Sequence, residues 1–215
     1  MKHATSNHSS LRQPAPVVTI QSTPRRELGF SLIEVLVSIV VLSFGLLGMV
    51  GMQAAALQSN REARLQSTGV VLARELADMI RGNKAIGILQ TSNPYLVSDQ
   101  SPLAATTESY CLNVAATSGC TTATEIASAE MTEWLARVDA ELPGARVVSC
   151  FDAAPFNTSG IPTWSCTAGT GAAIVIKLGW TRGSTNKSNT GAQALELASG
   201  TNSVPSVVLQ VTAGI

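Results

Sequence analysis

A long apolar run that carries a single acid, Glu34, dominates the hydrophobic pattern of this sequence. The run extends from Gly29 to Met52, and no ionisable side chain occurs between Glu34 and Arg61. Residues 30–57 would form a helix about 42 Å long, which exceeds the roughly 30 Å hydrocarbon core of a bilayer. The pattern therefore predicts a membrane-spanning helix over residues 30–57.

The pattern becomes amphipathic over residues 58–83. One stripe at helical spacing is apolar: Leu65, Leu72, Leu76, Met79 and Ile80. Much of the other side is charged: Arg61, Arg64, Arg74, Asp78 and Arg81. No proline occurs from Phe30 to Asn93, so a single helix from Phe30 to about Gly82 is permitted. We expect its second half to pack on a globular domain formed by residues 84–215.

The rest of the chain predicts a small α+β domain. Residues 83–123 are rich in Ser, Thr, Asn, Gly and Pro and predict a loop. A helix is predicted from Thr124 to Leu142. Alternating apolar positions predict three strands of a half-buried antiparallel sheet: Ala145 to Cys150, Ala172 to Arg182, and Ser206 to Thr212. The predicted fold class is α+β, with the long helix packed on this sheet.

The charges are distributed unevenly around the apolar run. Four basic residues and one acid precede Gly29: Lys2, Arg12, Arg25, Arg26 and Glu27. A basic segment before an apolar span stays cytoplasmic, so residues 58–215 are expected on the far side of the membrane. Without residues 1–29 the chain has 10 basic and 13 acidic residues, a net charge of −3. That balance gives no basic surface for nucleic acid, and we expect no nucleic-acid partner.

All four cysteines lie in the part expected to be exported: Cys111, Cys120, Cys150 and Cys166. An oxidising compartment would pair them, and four cysteines allow three connectivities. Pairing of neighbours, Cys111 with Cys120 and Cys150 with Cys166, closes the shortest loops. A zinc site is the rival interpretation, but C-x₂-C spacing is absent and no histidine follows Gly29.

The sequence offers no set of residues for catalysis. A Ser or Cys nucleophile usually needs a histidine base, and no histidine remains after Gly29. The carboxylate pairs Glu130 with Glu133 and Asp139 with Glu141 fit a solvated helix face. We therefore expect no enzymatic activity, no catalytic residues, no metal and no cofactor.

The hexapeptide GFSLIE at residues 29–34, followed by the apolar run, resembles the type IV prepilin signal. The resemblance implies that a prepilin peptidase cuts between Gly29 and Phe30, removes the leader of residues 1–29, and methylates the new N-terminus at Phe30. It also implies that Glu34 pairs with the N-terminal ammonium of a neighbouring subunit. An unpaired charge in hydrocarbon costs several kcal/mol, about 2.5 to 3.5 at a helix centre, so this pairing would favour assembly.

Within the pilin family, the segments GLLGM at 45–49 and LARELADMIRGN at 72–83 resemble a minor pilin of the PilV type. Such a subunit joins other minor pilins and the major pilin in a complex at the fibre tip, primes assembly and can present an adhesin. The implied location is the inner membrane with a periplasmic C-terminal domain, and later the pilus. A type II secretion pseudopilin is the alternative, and a membrane-anchored periplasmic binding module is the alternative from another class.

Overall fold

The computed structural model describes residues 29–101, 103, 111, 119–184, 186 and 188–212. The expected leader therefore lies outside the described residues, except for Gly29. The chain divides into two compact units, Met1–Val50 and Gly51–Ile215. Each unit is described in turn.

The first unit is helical throughout its described part beyond Ser31. Helix α1 spans Leu32–Gly82, 51 residues, and so continues into the second unit. Every described side chain of the first unit is exposed. One stretch of α1 has a mean hydropathy of 2.5, and α1 is long and apolar enough to cross a membrane. The prediction of one long N-terminal helix is confirmed.

In the second unit, α1 buries one face in the domain core. The buried residues repeat at helical spacing: Gly69, Leu72, Ala73, Leu76, Ala77 and Ile80. Leu65 and Met79 pack against the same core at its margin. Arg61, Arg64 and Arg74 are exposed, as the amphipathic pattern predicts. Burial of this apolar stripe, about 1.5 to 3 kcal/mol for each large side chain, stabilises the second half of α1.

A second long helix completes the helical layer. After the short α2, Lys84–Gly87, helix α3 spans Ala123–Glu141, within one residue of the predicted bounds. Thr122 and Glu125 form a capping box that begins α3, because each side chain accepts a hydrogen bond from the other residue's backbone. Trp134 of α3 donates from Nε1 to the carbonyl of Leu72 at 2.9 Å, which joins the two helices inside the core.

Among the described residues, the sheet has four antiparallel strands in the order β1-β2-β3-β6. Their bounds are Val97–Gln100 for β1, Arg146–Asp152 for β2, Ala173–Gly179 for β3 and Val207–Val211 for β6. Strands β4, Arg182–Gly183, and β5, Leu195–Glu196, form a separate pair, and a 3₁₀ turn at Gly191–Ala194 precedes β5. The α+β prediction is confirmed.

The prediction of a loop over residues 83–123 is wrong in part, because α2 and β1 lie within it. β1 has the sequence VSDQ, which lacks apolar alternation, and its strand conformation depends on pairing with β2. The β-propensity of its residues does not predict an edge strand that forms only through such pairing. Residues 102, 104–110 and 112–118 of that predicted loop lie outside the described residues.

The expectation of a half-buried sheet is wrong for β3. Ile174, Ile176 and Leu178 face the helices, as alternation predicts. Val175 and Lys177, on the opposite face, are also fully buried. Residues 153–167 follow β2 and cover this second face, where Trp164 lies against Gly179. The second unit therefore has three layers: helices, sheet and a covering segment.

Candidate functional site

The predicted cleavage point lies just before helix α1 begins. Gly29 and Phe30 are non-helical and exposed, and Phe30 is 82% exposed. The carbonyl of Ser31 accepts the first hydrogen bonds of the helix, from the N–H groups of Glu34 at 3.0 Å and Val35 at 3.3 Å. A non-helical and accessible peptide bond between Gly29 and Phe30 is one that a peptidase can reach.

Phe30 and Glu34 lie on the same side of the chain. Together with Val35, Ser38, Ile39 and Leu42 they line a shallow cavity of about 380 Å³. Glu34 is the acidic residue of the first turn, where the helix dipole favours negative charge. Its carboxylate has no ion-pair or hydrogen-bond partner among the described residues. The arrangement leaves this carboxylate free to bind a positive group of another chain.

The structure contains two disulfides, each joining neighbours in sequence. Cys111 is bonded to Cys120, with 4.9 Å between their Cα atoms, just before α3. Cys150 of β2 is bonded to Cys166, with 6.3 Å between the Cα atoms, and so ties the covering segment to the sheet. The part of the chain that the structure describes contains no group of three or more side chains suited to a metal ion.

A buried ion pair under the covering segment was not anticipated. Lys177 donates from Nζ to Oδ2 of Asp152 at 2.6 Å and to the carbonyl of Ser165 at 2.7 Å. Oδ1 of Asp152 accepts from the N–H groups of Ala154 and Thr167 at 2.9 and 3.0 Å. Burial raises the pKa of Asp152, but the hydrogen bond from Lys177 and those two N–H groups outweigh burial and hold the pKa below its usual value. The sequence signal was a single lysine in an otherwise apolar strand.

Two further side chains, Arg146 and Tyr95, make polar contacts within the domain. The Arg146 guanidinium lies 4.4 Å from the Trp164 ring centroid and donates from Nε to Asp99 at 2.7 Å, which links β2 to β1 and to the covering segment. Buried Tyr95 donates to Glu130 at 2.5 Å. Burial raises the pKa of Tyr95, and Glu130 raises it further. Glu130 therefore does more than solvate a helix face, which corrects that interpretation.

Comparison with protein families gave one match, at the N-terminal end. The model of the prokaryotic N-terminal methylation motif matches residues 24–50, which include the Gly29–Phe30 bond, Glu34 and the start of α1. The comparison with curated proteins gave no match, and neither did the comparison with solved structures. The motif, the membrane-compatible helix and the antiparallel sheet domain are each compatible with a type IV pilin-like protein. The chain therefore carries the N-terminal methylation motif of a type IV pilin-like prepilin.

Proposed function

We propose that this chain is a minor type IV pilin of the PilV type, which joins other minor pilins and the major pilin in a complex that primes pilus assembly. A prepilin peptidase cuts after Gly29 and methylates Phe30. The processed subunit resides in the inner membrane with its C-terminal domain in the periplasm. It later enters the pilus, where it can present an adhesin. Its role is structural, without catalysis, cofactor or nucleic acid.

The observation that carries the proposal is the carboxylate of Glu34, which lies four residues after the proposed N-terminus and has no ion-pair or hydrogen-bond partner in the part of the chain that the structure describes. Cleavage would create an ammonium group at Phe30 in every subunit. When helices pack side by side out of lipid, the low dielectric strengthens attraction between this ammonium and a neighbour's carboxylate. A single subunit gains little from that attraction, so the benefit arises on assembly.

The test replaces Glu34 and follows the subunit from membrane to fibre. Glu34→Val should leave the chain cleaved and inserted, because an apolar residue is favourable in the span. It should lower co-purification with the other minor pilins and reduce the number of pili. Glu34→Gln keeps the size of the side chain, so an equal loss would assign the effect to the charge. Glu62→Val is the matched control, since Glu62 is an acid in the second unit's part of α1.

Two outcomes would contradict this assignment. Equal fibre counts and equal co-purification for Glu34→Val and the unaltered chain would exclude the proposed pairing. Deletion of the chain that abolishes protein secretion but leaves pili intact would assign it to a type II secretion pseudopilus instead.

A further inference from the structure

The indole N–H groups of the three tryptophans are not equally satisfied. Trp134 donates to the carbonyl of Leu72 at 2.9 Å, and Trp164 donates to Oγ of Ser203 at 3.1 Å. Trp180 is only 2% exposed, yet its Nε1 has no hydrogen-bond partner within the described residues. Folded proteins pair nearly all buried donors with protein, water or a ligand, because an unpaired donor keeps the full cost of its desolvation. The acceptor for this N–H must therefore come from elsewhere than the described residues.

Trp180 lines a cavity of about 530 Å³ in the second unit. The cavity lies between the end of β3, the β4–β5 pair and residues 197–206, which connect β5 to β6. The six-membered ring of Trp180 lies against α1, because a Cβ at Gly69 would be 2.7 Å from Cζ3. The nitrogen-bearing ring is therefore the part nearer to the end of β3, where the cavity lies. Small-molecule sites have volumes of roughly 300 to 1,000 Å³, so this cavity admits a small organic ligand.

Hydrogen bonds hold the cavity wall formed by residues 197–206 in one conformation. Oγ of Ser203 accepts from Arg146 and from Trp164, both at 3.1 Å, and donates to the carbonyl of Ala198 at 2.5 Å. A hydroxyl has one donor and two acceptor positions, so these bonds use the whole capacity of Ser203. A wall that is already fixed loses little entropy when a ligand binds. The ligand itself must bind other groups of the cavity.

The groups available to a ligand are polar and carry no net charge. Among the described residues that line the cavity, Arg182 is the only base and Glu196 the only acid, and they are paired at 3.0 Å through Nε. The two Nη groups of Arg182, the hydroxyl of Thr201 and the amide of Asn202 have no hydrogen-bond partner within the described residues. A carboxylate or phosphate ligand would compete with Glu196 for Arg182. The cavity therefore favours a neutral ligand.

These groups match the hydroxyls of a sugar. A hydroxyl accepts from N–H donors such as those of Trp180 and Arg182, and it donates to an acceptor such as the side-chain carbonyl of Asn202. Leu197 and Val204, which are 51% and 39% exposed, offer apolar contacts to the C–H groups of a sugar ring. We propose that this cavity binds a neutral saccharide unit, with the N–H of Trp180 donating to one of its oxygens.

This binding site would give the domain a recognition function in addition to its proposed role in assembly. It uses no residue of the first unit, so it does not depend on the pairing proposed for Glu34. Two sources share the required chemistry, namely the glycan of the bacterial cell wall and the glycans on other surfaces. The choice of sugars in the experiment separates these sources.

The experiment records the indole N–H signals of the full chain in detergent micelles by nuclear magnetic resonance, with isotope-labelled tryptophan. Through-space contacts between its ring and Gly69 assign the signal of Trp180 without a substitution in the core. The probes are N-acetylglucosamine for cell-wall glycan, galactose and mannose for other surface glycans, and glucuronic acid as the charged control. We expect a saturable shift of the Trp180 signal with at least one neutral sugar, weaker binding of glucuronic acid, and no shift of the Trp134 signal.

A surface variant tests the location of the sugar without disturbing the core. Asn202→Ala removes a donor and an acceptor from the cavity and should weaken binding about tenfold, the effect of about 1.4 kcal/mol. Asn202 is exposed, so we expect the variant to fold. Asn60→Ala is the matched control, because Asn60 is an exposed asparagine of α1 outside the cavity, and it should leave the affinity unchanged.

Several results would overturn this proposal. No saturable shift with any of the three neutral sugars, together with magnetisation transfer from water to the N–H, would assign the site to an internal water only. Tighter binding of glucuronic acid would reject a neutral ligand, and equal affinity of Asn202→Ala and the unaltered chain would place the sugar elsewhere. If the sugars fail but Glu34→Val lowers piliation, the proposed function stands alone. Sugar binding by a chain whose deletion leaves pili unchanged would support the site and reject the pilus role.

Discussion

Lys177 and Asp152 form an ion pair at 2.6 Å with no exposed surface on either side chain. Removing two charges from water costs several kcal/mol for each ion, so such a pair persists only when hydrogen bonds satisfy its remaining donors and acceptors. Here Ser165, Ala154 and Thr167 supply those bonds. The pair therefore helps to hold the covering segment on β2 and β3, because displacing the segment would break these three hydrogen bonds and leave a buried ion pair incompletely satisfied.

Replacement of Lys177 should be strongly destabilising. Lys177→Met leaves Asp152 buried without its counter-ion, and we expect a loss of about 3 to 5 kcal/mol in the free energy of unfolding. Arg81→Met is the control, because the Arg81–Asp78 pair is exposed and is worth about 0 to 1 kcal/mol. Urea denaturation of the detergent-solubilised chain, followed by tryptophan fluorescence, measures both. Equal losses for the two variants would contradict a structural role for the buried pair.

Acid should destabilise the domain through Asp152. Its pKa is lower in the folded protein than in the unfolded chain, where an aspartate has a pKa of about 3.9. The folded state then binds fewer protons, so this stabilisation is complete above about pH 4 and is lost as the pH falls through the lower, folded pKa. Urea denaturation between pH 2 and 7 checks the direction. The dependence should weaken in Lys177→Met, and an unchanged acid profile in that variant would assign the effect to other carboxylates.

Gly69 is required for close packing of α1 on the sheet domain. A Cβ at Gly69 would lie 2.7 Å from Cζ3 of Trp180, a ring that is 2% exposed and cannot move freely. Gly69→Ala should therefore destabilise the domain by about 1 to 3 kcal/mol, although alanine favours helix. Gly82→Ala is the matched control, since nothing lies within 4 Å of its added Cβ. A shift of the denaturation midpoint in the same direction for both variants would contradict this packing argument.

Processing should leave Phe30 as the N-terminal residue. The methylation motif and the exposed, non-helical Gly29–Phe30 junction predict a mature chain that starts with N-methylphenylalanine and keeps the apolar part of α1. Mass spectrometry of the N-terminal peptide from isolated membranes measures this directly. A mature N-terminus between residues 38 and 60 would indicate an ordinary signal peptide and would remove the basis for a pilin.

Sequence patterns predicted the elements whose side chains repeat regularly. The apolar run and the stripe through Leu72 and Leu76 predicted α1, and alternation predicted β2, β3 and β6. β1, β4 and β5 were missed because they are short and depend on pairing with distant residues. Burial of Lys177 could not be predicted either, since it depends on Asp152, 25 residues earlier, and on the segment folded over both.

For the candidate site too, the sequence allowed predictions only where the signal is local. GFSLIE predicts the cleavage point and the role of Glu34 from local sequence alone, whereas the cavity lined by Phe30 and Glu34 is visible only in the folded chain. The proposed partner of Glu34 is the N-terminal ammonium of another chain, which neither the sequence nor a single subunit contains.

Helix α1 also determines how this protein can be dissected. Its residues from Gly69 to Ile80 fill the core of the second unit, and a Cβ at Gly183 would lie 3.0 Å from the side chain of Gln58. A fragment that keeps these contacts must therefore begin at or before Gln58. A start at Gln58 itself removes the whole apolar run. A fragment that begins after Ile80 would expose Trp134 and Trp180 and should aggregate. The suitable position for truncation thus lies inside helix α1. A truncation placed between two secondary structure elements would remove the part of α1 that fills the core.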